Sequence, residues 1–317
     1  MSARLIVIAL GGNALVQRGQ EGTFQEQYDN VRKTTSNIAD LIQDGYEVVL
    51  THGNGPQVGA TLLRHEAGKT FVPRLPLYVC GAETQGFVGY IIQQALRNEL
   101  KRRGVDKFVV TVITRVIVDK HDSAFQKPTK PIGPFYTKDE ASKLKRQMPN
   151  ITLKEDAGRG YRRIVPSPDP KIIAERKAIR TLVDAGFVVI ACGGGGIPVL
   201  EEDTQTTGVE AVIDKDLAGQ RLATLIGAQT FIILTDVDGA SLNYGTPKQK
   251  RIERITTEKL KNYLRDGHFK EGSMASKVEA AIRFVESGGE LAVIAHLDNL
   301  IEALEGGSGT QVLSPEA

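Results

Sequence analysis

Short, mostly apolar runs recur along the chain, and each is bounded by glycine or by polar residues. Runs of this length and composition are typical of strands buried on both faces of a parallel sheet. The predicted strands are Leu5–Leu10, Tyr46–Thr51, Phe108–Ile113, Phe187–Cys192, Phe231–Thr235 and Leu291–Ala295.

Between these runs, apolar residues return every three or four positions, which is the spacing of an amphipathic helix. Alternating strands and helices favour a mostly parallel sheet with helices on both faces, joined by right-handed crossovers. The sequence therefore predicts an α/β fold with three layers, αβα. The predicted helices are Asn30–Gln43, Gly86–Arg102, Lys171–Ala185, Lys215–Ile226, Ser273–Glu286 and Leu297–Glu305.

One stretch, from about residue 119 to 170, interrupts this alternation. It is rich in charges, shows little sustained apolar periodicity, and carries prolines at both shoulders, in 127–134 and 166–170. Such prolines indicate an inserted subdomain held by stiff connectors. The residues alone leave open whether this insert is a solvated excursion or a lid over a site.

Composition narrows the class of protein. A length of 317 residues suits one large domain or two lobes, and 41% hydrophobic residues can form a sizeable core. A net charge of +2 argues against nucleic-acid or membrane-surface partners, and no apolar run is long enough to span a membrane. The only cysteines, Cys80 and Cys192, lie in apolar segments. They argue against a disulfide scaffold and predict a cytoplasmic protein.

Glycines cluster where three of the predicted strands end, at Gly11–Asn13, Gly53–Gly55 and Gly193–Gly196. At the carboxyl ends of parallel strands, glycine lets backbone N–H groups approach an anion. Turn geometry alone also favours glycine there, but three clusters at corresponding positions favour an anionic ligand. No P-loop, G-x-G-x-x-G or G-x-S-x-G motif is present. The five histidines are scattered without zinc-site spacing, so we expect no structural zinc.

Two lysines begin predicted helices. Lys215 follows Asp214, a candidate N-cap, and Lys277 lies in the first turn of a helix that Ser273 is expected to cap. A lysine at a helix N-terminus opposes the helix dipole unless an anion is shared there. Anion binding and ordinary surface charge both remain open on this evidence.

Long strings of the sequence resemble the carbamate kinases of the amino acid kinase family. The resemblance covers the chain from end to end and implies one amino acid kinase domain over residues 1–317. It also implies that residues 119–170 form a protruding lid, that carbamate lies on the side of the N-terminal lobe, and that the nucleotide lies on the side of about 215–317. The matching strings are residues 9–13, 52–59, 128–135, 154–160, 193–198, 208–216 and 267–277.

The activity that the resemblance implies is reversible transfer of a phosphoryl group between ATP and carbamate, giving ADP and carbamoyl phosphate, with Mg²⁺. Carbamate already carries an anionic oxygen, so its attack on phosphorus needs no general base. A homodimer is implied as well. Two other hypotheses remain: a relative that phosphorylates another small carboxylate or phosphonate, and a non-catalytic nucleotide-binding regulator.

The resemblance also implies roles for individual residues. Lys215 and Lys277 would contact ATP phosphates, Asp216 would orient these lysines, and Lys130 of the insert would supply a further catalytic ammonium group. The residues expected to bind carbamate are Gly11, Gly12, Asn13, Gly53, Asn54 and Gly55.

The nucleotide is expected to lie against Lys215 and Lys277 together with Asp236, Tyr244 and Met274. Asp236 and Asp238 suggest a metal pair, but a turn at a strand end explains them equally well, so the Mg²⁺ ligands stay unassigned. Three arginines of the insert form either a structural cluster, which we favour, or a gate for anions; they are Arg159, Arg162 and Arg163.

Overall fold

An eight-stranded, mainly parallel sheet forms the centre of the part of the chain that the computed structural model describes, residues 4–17, 19–148, 151–155, 160–270 and 273–315. Numbered along the chain, the strands are β1 (Leu5–Leu10), β2 (Glu47–His52), β3 (Val109–Thr111), β4 (Arg115–Ile117), β5 (Lys130–Tyr136), β6 (Thr152–Glu155), β7 (Tyr161–Val165), β8 (Ile172–Ile173), β9 (Val188–Ile190), β10 (Ile197–Glu202), β11 (Gln205–Gly208), β12 (Thr230–Thr235), β13 (Ser241–Leu242), β14 (Lys250–Arg251), β15 (Arg254–Thr256), β16 (Leu291–His296) and β17 (Thr310–Leu313).

The central sheet has the strand order β15-β17-β16-β12-β1-β2-β9-β3. Its neighbours pair in parallel except β16 and β17. The α-helices are α1 (Phe24–Gln43), α2 (Gly55–Gly68), α3 (Leu77–Arg102), α4 (Lys138–Gln147), α5 (Arg176–Asp184), α6 (Lys215–Leu225), α7 (Thr257–Arg265), α8 (Met274–Glu286) and α9 (Leu300–Glu305).

The two faces of β1 bury alternate residues against different helix layers. Leu5, Val7 and Ala9 belong to one core with residues of α5, α6, α7 and α8. The intervening apolar residues of β1 belong to a second core with residues of α1, α3 and α9. Side chains alternate between the faces of a strand, so a fully apolar strand needs cover on both sides. The three-layer α/β prediction is confirmed. Within the described part of the chain, no helix is both long and apolar enough to cross a membrane.

Several element boundaries were predicted wrongly. Helix α1 begins at Phe24, not Asn30, because Thr23 caps it in a reciprocal capping box with Glu26. Helix α3 begins at Leu77, directly after Pro76. The predicted helix 171–185 begins only at Arg176, since 172–173 forms strand β8. Residues 297–299 form a 3₁₀ turn before α9, and β3 is shorter than the predicted run 108–113.

The predicted insert contains a small antiparallel sheet of its own, in the order β5-β7-β6, with α4 between β5 and β6. Helix α4 begins with a capping box formed by Thr137 and Glu140. On either side of this unit, β4 and β8 pair with each other and, through β10, join β11 in a separate four-stranded sheet. The strand that enters the small sheet begins at Lys130, so this lysine lies where the insert meets the rest of the chain.

Candidate active site

A buried carboxylate joins two of the predicted lysines. Asp216 is 2% exposed, in the first turn of α6, and its Oδ1 and Oδ2 accept hydrogen bonds from Lys215 Nζ at 2.5 Å and Lys277 Nζ at 2.9 Å. Lys277 comes from the first turn of α8. The N-termini of two helices therefore meet through one aspartate, as expected for a residue that orients both lysines.

The neighbouring aspartate has two partners of its own. Asp214 caps α6, because its Oδ1 accepts from the backbone N–H of Asp216 at 2.9 Å. Its Oδ2 accepts from Lys130 Nζ, also at 2.9 Å. Lys130 thereby joins the other two lysines, although 84 residues separate it from Asp214. The N-cap prediction is confirmed for Asp214. Ser273 also occupies the N-cap position of α8, as predicted, but its side chain makes no capping hydrogen bond.

The electrostatics of this cluster follow from burial and pairing. Burial by itself would raise the pKa of Asp216, but Lys215 and Lys277 outweigh it and hold this pKa well below its usual range. Burial lowers the pKa of Lys215, and the nearby Lys277 adds to that effect. The pKa of Lys277 is nevertheless raised, because Asp216 outweighs its desolvation. Asp216 therefore stays ionised at neutral pH.

These groups line a cleft of about 250 Å³ at the carboxyl ends of the central strands, with an excess of positive charge. Three lysines and Arg162 face it, against two aspartates. Four of the six residues predicted to bind carbamate line the same cleft, namely Gly12, Gly53, Asn54 and Gly55. A cationic wall beside glycine-lined backbone is suited to holding phosphate oxygens.

The glycine loops are packed against one another. A Cβ on Gly53 would lie 3.3 Å from both Gly12 N and Lys215 Cδ, and one on Gly194 would lie 2.1 Å from Asn54 Nδ2. Gly194 also has a φ of +65°, which favours glycine. Asn54 is held from the other side, since its Nδ2 donates to Thr84 Oγ1 at 2.7 Å. In the run Gly193–Gly196, only Gly194 is among the described residues that line the cleft. The lack of side chains in this run mainly leaves room for neighbouring residues to pack closely.

The remaining predicted residues lie outside the cleft lining. Gly11 is buried where a Cβ would meet Leu234 O at 2.9 Å, so it lets β1 and β12 approach. Asn13 is half-buried in the 3₁₀ turn that follows. Asp236 is exposed but close enough to contribute to the raised pKa of Lys277. Tyr244 is 64% exposed, and Met274 packs partly against the core. Their predicted contacts with carbamate and nucleotide stay predictions.

The two described arginines of the predicted cluster have different surroundings. Arg162 faces the cleft, donates from Nε to Gly133 O at 3.1 Å, and stacks over the Phe135 ring. Arg163 pairs instead with Glu210 at 2.8 Å. Arg159 lies outside the described residues. Apart from its charge, nothing in the local sequence marks Arg162 as a cleft residue, because its position depends on the register of β7 against β5.

A buried histidine also lies beside the lysines. His52 is 1% exposed, its Nδ1 lies 2.9 Å from Gly53 O, and its ring fills the space that a Cβ on Gly193 would need. Burial lowers the pKa of His52 to about 4, and Lys215 adds to that effect. The ring is therefore neutral at physiological pH, with Nδ1–H donating to the carbonyl.

Comparison with known proteins shows which family the chain resembles. The family model described as "Amino acid kinase family" matches residues 4–296. Carbamate kinases of Thermococcus kodakarensis and Pyrococcus furiosus are 60% and 59% identical to the chain, each over 97% of it and 98% of the relative. The solved carbamate kinase of Giardia lamblia bound to AMP-PNP superimposes with a TM-score of 0.93 at 44% identity, covering 99% of both chains.

The resemblance noted in the sequence is thus confirmed over nearly the whole length, at a level far above a likeness of fold alone. It identifies an enzyme of the kinase class. The chain belongs to the amino acid kinase family and, within it, to the carbamate kinases.

Proposed function

We propose that the protein catalyses reversible, Mg²⁺-dependent phosphoryl transfer from ATP to carbamate, giving ADP and carbamoyl phosphate. The observation that carries this proposal is Asp216, which holds two lysine ammonium groups at a cleft walled by glycine backbone. The curated relatives named carbamate kinase, at 59–60% identity, support the choice of acceptor.

In the forward direction, a carbamate oxygen forms a bond to the γ-phosphorus as the bond from that phosphorus to the bridging oxygen of ADP breaks. Charge spreads over the oxygens of the transferring group, so catalysis depends on alignment and on nearby cations. Lys215 and Lys277 supply those cations, and the carboxylate of Asp216 fixes their positions. Lys130, held by Asp214, adds a third ammonium group from the insert.

This reaction requires no proton to be removed from the acceptor. The cleft agrees with that requirement, because its candidate bases are occupied: both oxygens of Asp214 and of Asp216 accept hydrogen bonds. The neutral His52 is buried and hydrogen-bonded to backbone. We therefore infer a mechanism of positioning and charge neutralisation without a general base.

Magnesium enters this proposal as part of the nucleotide substrate. Mg²⁺ usually binds nucleotides through phosphate oxygens, water and one or two carboxylates. The carboxylates of Asp214 and Asp216 are committed to hydrogen bonds, whereas Asp236 is exposed near Lys277, and Asp238 is exposed two residues further along the chain. A magnesium–nucleotide complex that rests on the lysines and reaches Asp236 fits these residues.

The division into lobes, the lid role of residues 119–170, the homodimer and the cytoplasmic location remain parts of the proposal. The lid role is supported by Lys130 and Arg162, since both belong to the small insert sheet and both face the cleft. Opening and closing of this sheet would then bring the two cations to the substrate and remove them.

The proposal is tested by ATP formation from ADP, Mg²⁺ and carbamoyl phosphate, followed by luciferase luminescence with the full chain. We expect ATP in proportion to enzyme, and none when Mg²⁺ is chelated during the kinase reaction and restored only before luciferase is added. A matched assay with acetyl phosphate in place of carbamoyl phosphate should give a much lower kcat/KM. Folded protein that forms no ATP from carbamoyl phosphate, or that prefers acetyl phosphate, would refute the proposed acceptor.

A further inference from the structure

A second cluster of reactive side chains lies where α2 and α3 pack, apart from the cleft. His65 Nε2, Cys80 Sγ and a carboxylate oxygen of Glu83 all lie within 4.8 Å of one another. None of the three residues lines the cleft. Each belongs to a side-chain type that binds transition metals, through nitrogen, sulfur and oxygen.

The helices bring these groups together. Cys80 and Glu83 are three residues apart on α3 and so lie on the same face. His65 comes from the last turn of α2. Cys80 is fully buried, whereas the side chain of His65 is 18% exposed and that of Glu83 42% exposed. His65 and Glu83 also line a surface groove, so an ion and a water ligand can enter from this side.

The spacing suits a tetrahedral ion. His65 Nε2 and Glu83 Oε2 are 3.1 Å apart. Two ligand atoms bound to zinc at about 2.0 Å with tetrahedral angles lie about 3.3 Å apart. Zinc could therefore replace the direct contact between histidine and carboxylate after a small rotation of the two groups and an approach of Cys80 Sγ, which lies within 4.8 Å of both.

The surrounding charges favour a cation. Burial raises the pKa of the Cys80 thiol to about 11, and the negative charges of Glu83 and Glu210 contribute, with Arg163 opposing them. The carboxylate of Glu83, which opposes a bare thiolate, would stabilise a divalent ion bound to it, whereas Glu210 is already paired with Arg163. Binding would release the thiol proton to solvent, as metal binding to cysteine does in general.

We propose that His65, Cys80 and Glu83 form a binding site for a zinc-type divalent ion, with water as the fourth ligand. The ion would fasten α2 to α3. Helix α2 begins at Gly55 of the cleft, and Thr84, next to Glu83, accepts the hydrogen bond from Asn54. The proposed site would therefore stabilise the position of the loop Gly53–Gly55 from the side opposite the cleft. No zinc-site spacing is visible in the sequence because the histidine and the cysteine come from different helices.

Titration of the nucleotide-free full chain with Co²⁺ tests this proposal. We expect one equivalent to bind with a thiolate-to-cobalt charge-transfer band that Zn²⁺ removes by competition. C80S should abolish the band, and H65A and E83Q, both near the surface, should each weaken Co²⁺ affinity at least tenfold. Zn²⁺ should raise the melting temperature of the unchanged protein but not that of C80S.

Two control variants separate this site from other groups. C192S removes the other cysteine, and H296A removes a second histidine that faces a carboxylate, Asp298. Both should retain the charge-transfer band and the Co²⁺ affinity. Absence of the band in the unchanged protein, its persistence in C80S, or affinities in H65A and E83Q equal to those of the controls would overturn the proposal.

Discussion

Replacing Asp216 by asparagine removes one charge and keeps the size of the side chain. Asp216 is 2% exposed and bonded through both oxygens to ammonium groups. In Asp216→Asn, one amide oxygen can still accept from one lysine, but the amide NH₂ faces the other. Lys215 and Lys277 then remain close together and largely buried, without the carboxylate between them.

Removing one partner of a buried ion pair costs about 3–5 kcal/mol, because the remaining charge is desolvated and uncompensated. For a chain of 317 residues the entropy of unfolding is about 0.7 kcal/mol/K, so this loss corresponds to a fall in melting temperature of about 4–7 °C. The folded pKa of Asp216 lies below its unfolded value. Its stabilisation is therefore complete above about pH 4 and is lost as the pH falls through the folded pKa.

Differential scanning fluorimetry of both proteins between pH 3 and 8 measures this effect. The deficit of Asp216→Asn should be full at neutral pH and should narrow below pH 4. The control is Glu202→Gln, which breaks the exposed pair with Lys120; exposed pairs contribute little, so its melting temperature should not change measurably. A variant of Asp216 that melts within 1 °C of the unchanged protein at pH 7 would refute the charge balance described above.

Three further predictions concern the cleft. Asp214→Asn should lower the kcat of ATP formation more than it raises the KM for ADP, because Lys130 loses its hydrogen-bond partner. A kcat and a KM equal to those of the unchanged protein would contradict this prediction. Gly194→Ala should raise the KM for carbamoyl phosphate at least tenfold by displacing Asn54, whereas Gly81→Ala, with open space around its Cβ, should not. Since the pKa of His52 is about 4, protonation of its ring should contribute no inflection to kcat between pH 6 and 8. The pH profile of kcat for His52→Gln should therefore have the same shape as that of the unchanged protein. An inflection between pH 6 and 8 that disappears in His52→Gln would contradict this prediction.

The strands and helices of the central layers could be predicted from the sequence because they depend on residues that are close together in the chain. A strand such as β1, apolar at every position, must be covered on both faces. Asp214 could be identified as an N-cap because capping depends on residues two or three positions away. The family resemblance then added Lys130 and the catalytic roles predicted for Lys215, Asp216 and Lys277, which no spacing rule would have assigned.

Long-range pairing could not be predicted in this way. Helix α2 was missed because its first turn, from Gly55, coincides with a glycine cluster that indicated a turn. The contact between Lys130 and Asp214 depends on how β5 pairs within the insert sheet and how that sheet meets the core. The placement of Arg162 at the cleft and of Arg163 on Glu210 depends on the same pairing, since neighbouring residues of β7 point to opposite sides.

Stabilisation of the transferring phosphoryl group by lysine ammonium groups that Asp216 positions is the core of the proposed function. Its most direct test is the kcat for ATP formation from ADP and carbamoyl phosphate by Lys277→Ala, beside the surface control Lys261→Ala, whose lysine pairs with Glu286. We predict a loss of about 100-fold or more for Lys277→Ala, the size expected when one transition-state charge contact is removed, and no change for the control. A Lys277→Ala enzyme with kcat within threefold of the unchanged protein would contradict the claim.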